Sequence, residues 1–211
     1  MKIGFILGAG PIEDYELLRP SVRPEDVVIC ADGGYRHALA WGIEPQWLVG
    51  DFDSNRLPVE HPNVIRVKPE KDDTDMELAV RKGIQLGCQE FVIYGALGGR
   101  LDHTIANLQM LSVLLNQGIK ATIRDEQNEL FLLNPGTVVL NQNHFPYVSL
   151  FSFSERCEGI TLVGMKYPLE NAVLTNQSAG LGVSNEILES SATISFRSGT
   201  LIVIRSRDRG N

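Results

Sequence analysis

The sequence predicts an α/β fold: a mostly parallel, Rossmann-like sheet with helices on both faces, followed by a small all-β sandwich. Three observations predict it. Through the first 126 residues, continuous apolar runs alternate with stretches of helical period. After Glu126 the helical period disappears and short β-type runs follow one another. Acids, glycines and cations collect where the early apolar runs end, the edge at which open α/β sheets bind ligands.

In chain order, the apolar runs at 2–7, 27–30, 47–49, 90–94 and 121–124 read as strands. Most are continuous and not alternating, as expected of strands covered on both faces. Helical patterns lie between them at 35–41, 75–86 and 105–115. Met76, Ala79, Val80 and Ile84 form one apolar stripe; Ile105, Leu108, Leu111 and Leu115 form another. Gly87 and Gly118 are the expected helix stops. Past a join at 125–135, runs at 137–140, 147–153, 160–163, 172–174, 193–196 and 201–204 read as antiparallel strands, with Ser198-Gly199 as a hairpin turn between the last two. The expected domains are 1–126 and 127–211.

Composition narrows the class. With 19 Lys and Arg against 26 Asp and Glu, the formal charge is −7, which argues against a general nucleic-acid binder. A phosphate substrate stays open, because a bound metal inverts the local sign. Cys30, Cys88 and Cys157 are scattered and form no C-x-x-C pair, so neither a disulfide frame nor a zinc site is expected. The apolar start is too short for a signal peptide or a membrane span, and a cytoplasmic location follows as an expectation.

The most informative residues are Asp51 and Asp53 in Gly50-Asp51-Phe52-Asp53-Ser54, which closes the strand at 47–49. Side chains two apart on a strand point the same way, with Cα atoms roughly 6–7 Å apart. Two carboxylates at ~6 Å repel by roughly 3 kcal/mol at an effective dielectric of 20. A cation between them relieves this, and hard oxygen ligands suit Mg²⁺ or Mn²⁺. The same pentapeptide also suits a turn.

Four further segments fall at the same edge: Gly8-Ala9-Gly10, Ala31-Asp32-Gly33-Gly34, Lys71-Asp72-Asp73-Thr74-Asp75, and the run from Gly95 through Gly98, Gly99, Arg100 and Asp102 to His103. Thr74 with Glu77 fits a capping box, but capping does not require three acids behind a lysine. Glycines let backbone approach phosphate, and the Arg100 fork matches phosphate oxygens. No Walker-type loop is present. His103 reads equally as a base or as a structural residue; Asp102 is the better candidate for metal contact or for orienting a nucleophile. Acids for a metal, cations for phosphates and Gly-rich backbone together specify phosphoryl-type chemistry.

Taken together, these blocks resemble the thiamine pyrophosphokinase family. So do Gly164-Met165-Lys166-Tyr167-Pro168-Leu169 and Ser184-Asn185-Glu186 in the second half. The resemblance implies an α/β domain for nucleotide and metal, a β-sandwich for thiamine, and a homodimer with shared sites. It implies diphosphoryl transfer from ATP to thiamine, giving thiamine diphosphate and AMP. It puts Mg²⁺ on Asp51, Asp53 and Asp75, with Asp73 or Asp102 close by, and gives Asp102 the thiamine hydroxyl. Lys71 and Arg100 would hold phosphates beside Gly95, Gly98 and Gly99. Asp32, Gly33, Asp73 and Thr74 would complete the nucleotide edge. Ser184 and Asn185 would contact the pyrimidine. No Trp follows Asn185, so the residue that stacks on that ring is open. Two other readings fit part of the pattern: a nucleotide-sugar transferase using Asp51-Phe52-Asp53, and a non-catalytic Mg-nucleotide-binding regulator.

Overall fold

The computed structural model describes residues 1–51, 61–66, 73–178 and 180–209. It divides into two compact units, Met1–Glu126 and Gln127–Asn211.

The first unit is mixed α/β. Its strands are β1 (Ile3–Leu7), β2 (Val27–Ala31), β3 (Trp47–Gly50), β4 (Val64–Arg66), β5 (Glu90–Tyr94) and β6 (Lys120–Arg124). Three α-helices accompany them: α1 (Tyr35–Trp41), α2 (Asp75–Gln85) and α3 (Leu101–Asn116). The strands run β6-β5-β1-β2-β3-β4, each pair parallel. Register positions the site: Leu7 pairs with both Cys30 and Tyr94, and Ala31 with Val49. The carboxyl ends of β1, β2, β3 and β5 therefore finish level.

Phe5, Leu7, Val28 and Cys30 pack into one cluster with Ala38 and Trp41 of α1. Residues of the opposite strand parity, Gly4 and Ile29, meet other partners. A Cβ built on Gly4 would stand 2.6 Å from the Phe91 ring, and one on Gly83 of α2 2.5 Å from the same ring. One aromatic thus fills the space left by two glycines, which lets α2 lie close on β1 and β2.

A buried carboxylate pins the start of the unit. Asp26 Oδ1 accepts from the Ile3 amide at 2.9 Å, and its two oxygens accept from the Arg23 amide and guanidinium at 2.8–3.0 Å. Burial alone would raise this carboxyl, but the Arg23 and Ile3 hydrogen bonds outweigh it and hold it down at about 2.

Three details of this half differ from the sequence reading. Strand β4 has no signal there, since its three residues include none that is buried. Helix α3 begins at Leu101, four residues earlier than expected. Its stripe is also rotated: Asn107, Met110, Leu111 and Leu114 are buried, whereas Ile105 is 49% exposed. An apolar residue at the right spacing is no proof of burial where the first turn of a helix stands clear of the sheet.

The second unit is all-β. It contains β7 (Asn128–Leu133), β8 (Gly136–Asn141), β9 (Tyr147–Ser152), β10 (Arg156–Val163), β11 (Leu169–Thr175), β12 (Asn185–Glu186), β13 (Ser191–Phe196) and β14 (Leu201–Ser206). Four strands run β12-β9-β14-β7 and four run β11-β10-β13-β8, with antiparallel pairing. Side chains from both sets, among them Leu150 and Val203 on one and Ile160 and Ile194 on the other, form a single core. The division after Glu126 falls inside the expected join, and residues 128–133 of that span are already a strand. Ser198-Gly199 is not a hairpin, because β13 pairs with β8 and β10 while β14 pairs with β7 and β9. Turn chemistry is the same whether the chain doubles back or crosses to the facing set, so the dipeptide alone cannot decide. No helix among the described residues is long and apolar enough to cross a membrane.

Candidate active site

The level strand ends deliver five segments to one place. Residues 8–10 follow β1, Asp32 follows β2, Asp51 follows β3, residues 73–75 open α2, and residues 95–100 lead from β5 into α3. Most of them line a cavity of about 370 Å³, a size suited to a small-molecule ligand. Asp53, Lys71 and Asp72 lie outside the described residues.

The glycines have a use that needs no ligand. Gly8 donates its amide to the Tyr94 carbonyl and Gly10 to that of Gly95, both at 2.8 Å. A Cβ on Gly10 would stand 2.6 Å from Gly95 O, and one on Gly95 (φ +62°) would overlap the Gly8 carbonyl. The loops after β1 and β5 dock backbone to backbone, which only glycines permit. Gly98 packs on Pro11, its added Cβ falling 2.9 Å from that ring. Gly99 is different: it lines the cavity and an added Cβ would meet nothing within 4 Å.

The acids are crowded. Asp32 holds a left-handed backbone at φ +45°, and a Cβ on Gly50 would lie 3.1 Å from its Cα. Burial pushes the Asp32 carboxyl up, and the negative charges of Asp75 and Asp51 push it further; the Gly33 amide and Arg36 pull the other way. Asp32 is thus repelled by two other carboxylates, one following β3 and one opening α2. Among the described residues no three or more of His, Cys, Asp and Glu are grouped closely enough to hold a metal ion by themselves. The donors are hard oxygens, and a divalent cation beside Asp32 would relieve the repulsion it feels.

Asp73 turns away from that set. Arg81 grips it with two hydrogen bonds, at 2.8 and 2.9 Å, and also reaches Glu77 at 3.0 Å. Thr74 caps α2, its Oγ1 accepting from the Glu77 amide at 3.1 Å. Arg100 and Asp102 pair with each other, Nη2 to Oδ2 at 2.5 Å, on an exposed surface. The Arg100 hydrogen bond holds Asp102 below the usual carboxylate range.

In the second unit, Ser184 sits at φ +53° and donates its amide to Ser149 Oγ at 3.0 Å. Asn185 is buried. Its Oδ1 accepts from the Tyr167 amide at 2.9 Å and its Nδ2 donates to the Tyr167 carbonyl at 2.7 Å. The Asn185 amide therefore fixes the backbone of Tyr167, whose own side chain is exposed.

The family model described as "Thiamin pyrophosphokinase, catalytic domain" matches residues 19–123. The one described as "Thiamin pyrophosphokinase, vitamin B1 binding domain" matches residues 137–201. A thiamine pyrophosphokinase of Bacillus subtilis (strain 168) is 36% identical over 215 residues, covering 99% of this chain and 100% of that relative. The chain belongs to the thiamin pyrophosphokinase family. Among solved structures of the family, the crystal structure from Bacillus subtilis matches with a TM-score of 0.89 at 32% identity, covering 99% of this chain and 100% of that one. The one from Geobacillus thermodenitrificans matches with a TM-score of 0.85 at 34% identity, covering 100% and 99%.

Within this family frame, the structure brings Asp32, Asp51 and Asp75 into electrostatic reach and leaves Asp73 and Asp102 engaged with arginines. Sequence reasoning missed Asn107. It is buried on α3, and its Nδ2 donates to the Ala96 carbonyl at 2.9 Å, fixing the loop after β5. The one signal was an amide in an otherwise apolar stripe.

Gly99→Ala separates the two uses of glycine. The added methyl meets nothing in the protein, so the melting temperature is expected to stay within about 2 °C of wild type. If phosphate approaches this backbone, KM for ATP rises by about tenfold or more, the cost of one obstructed hydrogen bond. An unchanged KM would remove Gly99 from the nucleotide site.

Proposed function

We propose that this chain transfers a diphosphoryl group from ATP to the hydroxyl of thiamine, giving thiamine diphosphate and AMP. The observation that carries it is the placing of Asp32 and Asp75 on the wall of a cavity edged by Gly99 and Arg100, with Asp51 close enough to act on Asp32. Family membership supplies the reaction class. Residues 1–126 serve as the nucleotide- and metal-binding domain, with the Rossmann-like sheet covered by helices on both faces. That reading is supported by α1 packing on Phe5 and Leu7, while Gly83 of α2 lies near Ile29 and shares the Phe91 ring with Gly4. Residues 127–211 serve as the thiamine-binding domain.

Asp51, Asp53 and Asp75 would hold Mg²⁺, or Mn²⁺ in its place. The metal would neutralise charge on the transferring diphosphate. Lys71 and Arg100 bind phosphate oxygens, with Asp32, Gly33 and Thr74 along the nucleotide edge. The thiamine oxygen forms a bond to the β-phosphorus, the bond from that phosphorus to the α-bridging oxygen breaks, and AMP departs with the electron pair. Asp102 accepts a hydrogen bond from the attacking hydroxyl. Held below the usual carboxylate range by Arg100, it orients that group and takes its proton only as the new bond forms. Ser184 lies at the pyrimidine; Asn185 acts on it by fixing Tyr167. The enzyme works in the cytoplasm as a homodimer with sites at the subunit interface.

Purified protein incubated with Mg-ATP and thiamine, with products resolved by chromatography, tests this. AMP with thiamine diphosphate is the expected pair. ADP with thiamine monophosphate, or nucleotide binding without turnover, would overturn it.

A further inference from the structure

The wall of the cavity after β1 is held from behind by two adjacent side chains of α1. His37 is 1% exposed and both of its ring nitrogens are engaged. Nε2 lies 2.8 Å from the Gly10 carbonyl and Nδ1 lies 2.7 Å from the Tyr15 hydroxyl. A carbonyl can only accept, so Nε2 carries the proton and Nδ1 accepts from Tyr15. The Arg36 Nε, at 3.5 Å from Nε2, is too far to compete. Tyr15 is fixed in turn, because Trp41 Nε1 donates to its carbonyl at 2.7 Å. Arg36 supplies a second hold: its Nη2 donates to the Ala9 carbonyl at 2.6 Å and reaches that of Gly10 at 3.3 Å.

Ala9 and Gly10 both line the cavity, and neither Arg36 nor His37 does. The two carbonyls that could face a ligand are thus drawn out of the wall and onto α1. A carbonyl oxygen carries partial negative charge and repels an anion; one turned onto a guanidinium or an imidazole N–H does not. Burial keeps His37 neutral, which preserves the single N–H that this arrangement needs.

We infer that His37, oriented by Tyr15, and Arg36 are positioning residues that withdraw the Ala9 and Gly10 carbonyls from the cavity, so that its wall accepts the polyphosphate of a nucleotide. The inference rests on the ATP-dependent reading above. Neither residue lines the cavity: both hold the peptide wall from behind, and Arg36 also pulls the Asp32 carboxyl down by its charge.

The test compares His37→Phe, His37→Gln, Tyr15→Phe and Arg36→Met with the full-length wild type. Measured are melting temperature, dissociation constant for Mg-ATP without thiamine, and KM for each substrate. His37→Phe is expected to weaken Mg-ATP binding about tenfold, as one misplaced acceptor would, with the thiamine KM within about twofold of wild type. His37→Gln, which keeps an N–H donor, restores most of the affinity. Tyr15→Phe falls between. Arg36 is exposed, so Arg36→Met folds normally and still loses affinity for Mg-ATP alone. If His37→Phe does not fold, the Tyr15 and Arg36 variants decide. A lowered melting temperature with unchanged Mg-ATP affinity in folded variants would overturn the inference and reduce the pair to structural contacts. Wild type that binds Mg-ATP but makes no thiamine diphosphate would overturn the proposed reaction and leave this inference standing. Wild type that binds no Mg-ATP would overturn both.

Discussion

Asp75→Asn is expected to lower turnover by roughly 10²–10³-fold, the loss typical of removing one charge that stabilises a transition state, while the protein stays folded. Asp75 is the first residue of α2, and Thr74 caps that helix without it. Losing a carboxylate from a first helical turn costs only about 0.5 kcal/mol. Against that small loss stands a gain, since Asp75 pushes the Asp32 carboxyl up by repulsion that Asn would relieve. The metal-free variant should therefore melt within about 2 °C of wild type, or slightly higher. If Asp75 is a metal ligand, a Mg²⁺-dependent rise in melting temperature is expected in wild type and lost in the variant, because ligand binding stabilises only a protein that binds it. Melting curves with and without Mg²⁺, beside kcat at saturating Mg²⁺, make the check. Near-normal kcat with an intact Mg²⁺-dependent shift would remove Asp75 from the metal set.

The same acids show why part of this site is legible in a sequence and part is not. Asp32, Asp51 and Asp75 each end a strand or open a helix in the chain, and parallel strands finishing level bring such positions together. The continuous apolar runs of β1, β2, β3 and β5 carry that information without any alignment of relatives. Side-chain direction does not follow from position. Asp73 is two residues from Asp75 and equally acidic, yet Arg81, about two turns further along α2, takes it. Asn185 is a residue that the family resemblance places at the pyrimidine, yet its side-chain amide is spent on the Tyr167 backbone. His37 and Asn107 carry no sequence signal beyond being polar in apolar surroundings. Their partners, Gly10 and Ala96, are backbone carbonyls, and no side-chain motif records a carbonyl. The all-β half reads less well for a related reason. Its strands are short, and the choice between doubling back and crossing over at Ser198-Gly199 depends on which edge is already paired.

Gly34→Ala is expected to be the most damaging single change in stability, costing more than about 4 kcal/mol and lowering the melting temperature by about 10 °C or preventing soluble expression. Gly34 has an ordinary helical φ of −62°, so backbone strain plays no part. The obstacle is proximity: an added Cβ would overlap the Leu7 carbonyl oxygen. Leu7 cannot retreat, because β1 is hydrogen-bonded to β2 on one side and β5 on the other. The start of α1 would have to lift instead, breaking the packing of Ala38 and Trp41 on Phe5 and Leu7. Gly33→Ala is the control within the same turn, since its Cβ would meet only the Ala9 methyl at 3.1 Å, and about 1 kcal/mol should suffice to accommodate it. Thermal melts of both variants beside wild type separate the two. A wild-type melt for Gly34→Ala would mean that α1 does not sit on the end of β1. Because Asp32 precedes this glycine and Arg36 and His37 follow it, any Gly34→Ala protein that folds by lifting α1 should also bind Mg-ATP weakly. Close packing at one glycine is what holds an acid at the edge of the cavity and a guanidinium and an imidazole behind its wall.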